Sequence, residues 1–453
     1  MAPRYIVSSR DASLQWPRVP SGEAATVLAL HAQNERSQWL AEETLWTRQL
    51  VQLRTLLAHC QATVPYYRDR LTDCFEENSP LDRSRWEAVP ILTRRALQEN
   101  FDALKSEVPP ASHGATSAMQ SSGSTGTPVR FMNSRITTYF YYANNLRHYR
   151  WHEYDPAARY AGIVRLNAAQ QKLSEAGKPV PWMMGYATGP HFYFDIGRPV
   201  SEQLAWLQEV QPQYLTTYPS NLRNLLDHCN QGSLPFLRAI TTMSEVLNDE
   251  TRAACEATLG VPVQDIYSAQ EIGIAALQCP SDGGYHVMSE SVLPEILDEA
   301  GMPCAPGEVG RVIATPLQNF ITPLIRYELG DFAEVGEPCA CGRGLPTVRR
   351  FLGRVRNILV LPSGEKIWPS FGSRGLTAIA PIRQHQLVQK TRTDLEAHLV
   401  VERTLTKDEE AQLTAHLTAR LPEMMHLRFV YVDAISRGPG GKFEDFVSDV
   451  VDP

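Results

Sequence analysis

Several short stretches of this sequence combine residue types that do chemistry. The first, QSSGSTGTPVRF at 120–131, sets Ser121, Ser122, Gly123, Ser124, Thr125, Gly126 and Thr127 ahead of Pro128. Successive backbone N–H groups in a Gly-rich turn form an anion nest, and hydroxyls add donors without bulk. A P-loop would carry lysine in the pattern G-x-x-x-x-G-K-[ST], yet the nearest basic residue here is Arg130. Taken alone, the stretch fits a phosphate-holding loop and an ordinary Ser/Gly linker equally well. A second constellation reads C-x6-H at Cys279 and His286, then C-x-C-G-R from Cys339 and Cys341 after a 52-residue insert. Three thiolates and one imidazole satisfy tetrahedral Zn²⁺ and leave no open position, so such an ion would be structural rather than hydrolytic. Unliganded cysteines beside an incidental histidine are the alternative. Third, PWMMGYATGPHFYF at 181–194 holds Trp182 and Tyr186, and Tyr218 follows in TTYPS. Rigid aromatics with flexible Met suit the wall of an aryl-acid pocket and suit a plain core just as well.

The elements that must position these groups are legible in the periodicity. Residues 22–60 carry good helix formers with apolar groups spaced by three and four, and predict one long helix. VPYYRDRL and WEAVPILTRRALQENFDAL read as short helical pieces punctuated by Pro. Beyond the Ser/Gly/Thr loop, strand and helix patterns alternate from ARYAGIVRL to VQDIYS, which argues an α/β domain with a largely parallel sheet. From about residue 284 the character is strand-rich. The last hundred residues read as a small α+β unit whose charged helix opens at Thr406. The expected division is 1–353 and 354–453.

Composition narrows the class. A chain of 453 residues with 43% hydrophobic residues can bury a sizeable core, and a net charge of −7 without a Lys/Arg cluster argues against nucleic acid or an anionic membrane as partner. No apolar run reaches the roughly 18 residues of a membrane span. The first residues lack a signal-peptide layout, and eight scattered cysteines make no disulfide framework, so a cytoplasmic protein in a reducing compartment is expected.

Placed in order, SSGSTGTP, YSAQE (267–271), RYELGD (326–331), LGR (352–354) and GPGGK (438–442) resemble the adenylate-forming superfamily of acyl-CoA synthetases, and within it the phenylacetate–CoA ligase branch. The resemblance extends to TVPYYRDRL, VPILTRRAL and CACGRGLPTVRRFLGR, covering nearly the whole chain. It implies an α/β fold with a large N-terminal adenylate-forming domain of mixed sheets and helices, and a small mobile α+β C-terminal domain. It also implies a two-step reaction: a carboxylate attacks the α-phosphate of MgATP, and a nucleophile then displaces AMP from the acyl adenylate. Coenzyme A is the acceptor that the branch implies; transfer to an amine, a hydroxyl or a carrier protein is the alternative. The small molecules are a carboxylic, aryl-type acid and its acceptor, and a homodimer is compatible with the sequence.

By the same resemblance, residues 121–127 hold the ATP phosphates, Tyr267 lies against adenine, and Glu271 holds the Mg²⁺ between phosphate oxygens. Ser244, Glu245, Ser268 and Arg354 complete the nucleotide site, and the Asp331 carboxylate meets the ribose hydroxyls. Lys442 enters the site to neutralise charge during adenylation and leaves for the second step. The cysteine cluster matches one carried by members of the branch at the equivalent place. Two positions depart from the pattern: Thr127 stands where lysine is usual, and Arg356 where the hinge commonly carries Asp. A non-catalytic nucleotide-binding homologue would be expected to lose Glu271, Asp331 or Lys442 first, and all three are present.

Overall fold

Two helices lie near the N-terminus: α1 (Gly22–Ser37) buries Ala24 and Val27 beside the polar His31, Asn34 and Ser37, and α2 (Glu42–Thr63) buries Leu45, Leu53, Leu56 and Leu57. The computed structural model describes residues 5–14, 16–76, 79–121, 128–369, 374–419, 421, 424–436 and 442–450. In it the single helix expected over 22–60 is broken at 38–41, although neither Pro nor Gly marks the place. The Gly344 N–H donates to the Gln38 carbonyl at 2.9 Å. A Cβ on Gly344 would lie 1.8 Å from the Leu40 carbonyl oxygen. The loop after Cys341 therefore packs into the break, and tertiary contact overrides helix propensity.

Asp82 and Thr93 cap α3 (Arg83–Glu87) and α4 (Arg94–Glu99), whereas 65–71, expected as a short helix, forms turns. A hairpin of β1 (Thr116–Gln120) and β2 (Arg130–Ser134) flanks the Ser/Gly/Thr loop. Next come α5 (Arg135–Trp151), β3 (Tyr160–Val164), α6 (Ala168–Glu175), β4 (His191–Asp195), α7 (Val200–Val210) and β5 (Tyr214–Thr217). Then follow α8 (Pro219–Asp227), β6 (Ala239–Met243), α9 (Asp249–Leu259) and β7 (Val263–Ala269). Strands β4, β3, β5, β6 and β7 pair in parallel in that order, as the strand–helix alternation requires.

Pairing then reverses. The strands β8 (Gly273–Gln278), β9 (Tyr285–Val287), β10 (Val292–Leu297), β11 (Val309–Pro316), β12 (Tyr327–Val335) and β13 (Thr347–Arg354) extend the same sheet antiparallel. The result is an eleven-stranded sheet in the order β10-β11-β12-β13-β9-β8-β7-β6-β5-β3-β4. The expected parallel sheet is thus one half of a mixed one.

After Arg354 the chain adds β14 (Leu359–Val360), β15 (Lys366–Ile367), α10 (Arg374–Ile379), β16 (Ile382–Gln389) and β17 (Asp394–Val401). It ends with α11 (Lys407–Thr418), β18 (His426–Tyr431) and β19 (Phe446–Ser448). Thr406 caps α11 in a capping box with Glu409, so the start read from the sequence is the start observed. β14 and β15 pair with each other, and β16 to β19 form a separate sheet in the order β18-β17-β16-β19 over a core that includes Leu387, Leu399, Leu413 and Phe446. No helix among the described residues is long and apolar enough to cross a membrane.

One buried ion pair ties the N-terminal helices to the sheet. Arg147 on α5 is fully buried and meets Glu290 at 2.8 Å, and Asn34 and Ser37 of α1 bond to the same pair. Burial is the largest influence and works against ionising Glu290, but the charge and hydrogen bond of Arg147, with the Ser37 and backbone bonds, together hold the carboxyl below its ordinary value of 4.5. The pair's contribution is therefore present above that value and lost as pH falls through the lowered one. Arg147→Met should cost about 3–5 kcal/mol, because it leaves a carboxylate buried without its partner. Chemical denaturation at neutral pH checks this, and the deficit should shrink in acid.

Candidate active site

The C-terminal ends of parallel strands are where α/β sheets bind ligands. Here β5 ends into Tyr218, β6 into Ser244 and Glu245, and β7 into Tyr267, Ser268 and then Glu271. Ser244 adopts φ +75°, a left-handed conformation rare outside glycine and a mark of constrained functional turns. It turns the chain sharply as β6 ends. Tyr267 stacks on Phe351 of β13 at 3.5 Å with rings 6° apart. Its hydroxyl donates to Asp331 Oδ2 at 2.8 Å, and Arg354 Nε lies 3.3 Å from Oδ1. Asp331 and Arg354 face each other across the β12–β13 ladder, so strand register alone brings them together. Burial, and then the Asp331 charge, push the Tyr267 phenol well above its ordinary value, so the group remains a neutral donor.

Glu271 is buried, with Arg94 of α4 at 3.9 Å, too long for a direct hydrogen bond. Arg94 also reaches Ser121 Oγ at 3.4 Å. Ser121 closes the base of the loop: its N–H donates to the Val129 carbonyl, and its hydroxyl accepts from the Val129 N–H at 3.0 Å. Ser122, Gly123, Ser124, Thr125, Gly126 and Thr127 lie outside the described residues. Sequence reasoning missed Arg94, although it sits in the VPILTRRAL stretch. A helix-capping Thr93 hides the fact that the next side chain turns toward Glu271.

Lys442 arrives from the C-terminal unit and is half-buried. Burial and the Arg354 guanidinium hold its ammonium below 10.5, against the pull of Asp331, Glu245 and Glu271. The two residues after Lys442 are fastened. The Phe443 N–H donates to Glu245 Oε1 at 2.8 Å, and Glu444 is ion-paired with Arg356. Arg356, the departure at the hinge, thus grips the segment that bears the lysine. Burial still pushes the Glu444 carboxyl up. Glu245, expected at the nucleotide, has both oxygens engaged by protein donors: Ser220 N–H meets Oε2 at 2.8 Å and Ser220 Oγ meets Oε1 at 3.1 Å.

The expected acyl-pocket residues separate. Tyr218 lies at the end of β5, two residues before Ser220. Trp182 packs edge-on to Tyr149 at 5.0 Å and beside Tyr160 at 4.8 Å, and Tyr186 meets Tyr5 at 5.3 Å. That cluster gathers where β3, β5 and β6 begin, with Tyr160, Tyr214 and Ala239, at the edge opposite Glu271. Trp182 and Tyr186 are therefore core, and the structure does not bring them to the other site residues. An aromatic run carries no sign of which end of a strand it will cover.

Cys279 follows β8, His286 lies in β9, and Cys339 and Cys341 precede β13. Their ligand atoms all lie within 4.8 Å of one another. The Cys279 and Cys339 sulfurs are 3.7 Å apart, and Cys341 Sγ lies 3.2 Å from His286 Nε2. A tetrahedral ion with metal–sulfur bonds of about 2.3 Å separates its ligands by about 3.8 Å, so the four residues could hold one. His286 Nδ1 faces the Leu345 carbonyl at 3.3 Å, which aims Nε2 inward.

Residues 359–449 match the family model described as the CapK C-terminal domain. The chain is 26% identical over 388 residues to phenylacetate-coenzyme A ligase of Thermus thermophilus, covering 80% of this chain and 82% of that protein. It is 25% identical over 356 residues to the phenylacetate-coenzyme A ligase of Pseudomonas putida, covering 72% and 74%. Among solved structures, 2-hydroxyisobutyryl-CoA ligase in the postadenylation state superposes with TM-score 0.73 at 17% identity over 92% of each chain. In its thioesterification state the same ligase gives 0.58 at 18% identity over 92% of this chain and 91% of that one.

Proposed function

We propose, from the premise that the chain is a phenylacetate–CoA ligase-like member of the adenylate-forming superfamily, that it is an AMP-forming carboxylic acid–CoA ligase. The observation that carries the reading is the Phe443 N–H bond to Glu245 at the end of β6, which holds the neighbouring Lys442 of the C-terminal unit where the charges of Arg354, Asp331 and Glu271 act on it. Joining a carboxylate to a triphosphate brings anions together, so positioned cations and charge neutralisation carry most of the catalysis. Lys442 and Arg94 supply fixed positive charge. Tyr267 is backed on one face by Phe351 and would take adenine on the other, and the Asp331 carboxylate would take the ribose hydroxyls. The loop at 121–127 takes the phosphates. Magnesium, a hard cation suited to carboxylate and phosphate oxygens, would supply further neutralisation from Glu271. The first step releases pyrophosphate; the thiol of coenzyme A then attacks the acyl carbonyl of the adenylate, forming the thioester and expelling AMP. An amine or hydroxyl acceptor is not favoured, because the relatives at 25–26% identity are both coenzyme A ligases. An aryl acid, a cytoplasmic setting, and a large unit at 1–353 joined to a small one at 354–453 complete the reading. Zinc is the ion that suits three thiolates and an imidazole, and it would be structural.

ATP–pyrophosphate exchange over a panel of aromatic and aliphatic acids, followed by coenzyme A, tests the function. Lys442→Ala should lower exchange by about 10²–10³-fold while sparing thioester formation from supplied acyl adenylate. Equal loss in both steps would defeat the role. Because the Lys442 ammonium sits below 10.5, kcat/KM for adenylation should fall as pH rises through that lowered value. Lys442→Arg, charged throughout, should move this basic limb upward. Purified protein should carry about one zinc per chain, and Cys339→Ser should lose both the metal and thermal stability. Metal-free protein with an unchanged melting temperature would refute the zinc site.

A further inference from the structure

We infer that Glu245 is a positioning residue for Lys442: it fixes the backbone next to the lysine against the N-terminus of α8, and does not serve as a nucleotide ligand. The inference deepens the adenylation reading and rests on it. The first N–H groups of a helix have no partner within the helix, and the partial positive charge there favours a carboxylate. Ser220, the second residue of the nine-residue α8, meets that need by donating its N–H to Glu245 Oε2 at 2.8 Å. Its hydroxyl lies 3.1 Å from Oε1. The carboxylate is thereby anchored within the large unit. Oε1 is then presented to the C-terminal unit, where it accepts the Phe443 N–H at 2.8 Å.

That amide belongs to the residue directly after Lys442, so fixing it fixes where the lysine backbone starts. Lys442 has a long, flexible side chain, and a point charge on such a stem is useful only if its base is held. Placement errors of about 1 Å at a reacting centre cost up to about 100-fold. The contact joins the C-terminal segment to the end of β6 in the same arrangement that sets Lys442 among the charges of Asp331, Arg354 and Glu271. The turn at Ser244 delivers Glu245 to this spot directly as β6 ends.

The test compares wild type with Glu245→Ala and Glu245→Gln. The first readout is ATP–pyrophosphate exchange with phenylacetate, 2-hydroxyisobutyrate or anthranilate. For Glu245→Ala, kcat should fall about 10- to 100-fold while KM for ATP stays within about twofold, and coenzyme A transfer from synthetic acyl adenylate should be unchanged. Glu245→Gln keeps an oxygen for Phe443 and should recover part of the loss. The second readout needs no substrate. Trypsin cleavage of the Lys442–Phe443 bond, followed by mass spectrometry at unchanged melting temperature, should accelerate in Glu245→Ala. A raised KM for ATP with kcat intact would make Glu245 a nucleotide ligand and overturn the inference. Wild-type exchange together with wild-type cleavage would also overturn it. Should wild type itself exchange with none of the acids, the adenylation reading is what fails, and the cleavage rates still decide whether Glu245 clamps the segment.

Discussion

Both oxygens of the Asp331 carboxylate are engaged by protein groups, the Tyr267 hydroxyl at 2.8 Å and the Arg354 side chain at 3.3 Å. This arrangement sets the rest of the site. Tyr267 belongs to β7, Asp331 to β12 and Arg354 to the end of β13, three strands that a single carboxylate gathers at one edge of the sheet. β7 is also the strand where parallel pairing with β6 gives way to antiparallel pairing with β8. One side of the site is therefore made of strand-to-helix turns and the other of a ladder whose register is set residue by residue.

The chain leaves the ladder at Arg354 and enters the C-terminal unit within a few residues. The Asp331–Arg354 contact and the path to the small unit are thus adjacent in sequence as well as in space. Arg356 lies two residues on and is paired with Glu444, two residues beyond Lys442. Asn357 reinforces the same seam by donating to the Phe446 carbonyl at 2.7 Å. With aspartate at 356, Glu444 would face a like charge. The exchange of sign at the hinge is matched by the sign of its partner, so the two positions are understood only as a pair.

Much of this was legible in the sequence where the signal is local. Thr406 and Glu409 spell a capping box, and the capped helix is there; the strand–helix alternation gave the parallel half-sheet; and C-x6-H with C-x-C predicted four residues that do meet. What was not legible depends on contacts distant in sequence. The break between α1 and α2 is imposed by Gly344, some three hundred residues away, and nothing at 38–41 announces it. Trp182 and Tyr186 have the composition of a ligand wall and the position of a core, because an aromatic run does not encode which end of the sheet it covers. The resemblance assigns Glu245 to the nucleotide, whereas its hydrogen bonds run to Ser220 and Phe443, the latter almost two hundred residues downstream.

The contact between Gly344 and Leu40 also bears on how this protein can change. No side chain fits at 344 without displacing the backbone at 40, and Gly344 lies three residues beyond Cys341. The helical break and the thiolate loop are consequently one inherited unit. A homologue that closes the break into a continuous helix must rebuild the loop, and one that shortens or replaces the loop loses what holds the break open. Substitutions in the two segments should therefore travel together through divergence, and grafting either alone into a relative would transplant half of a joint.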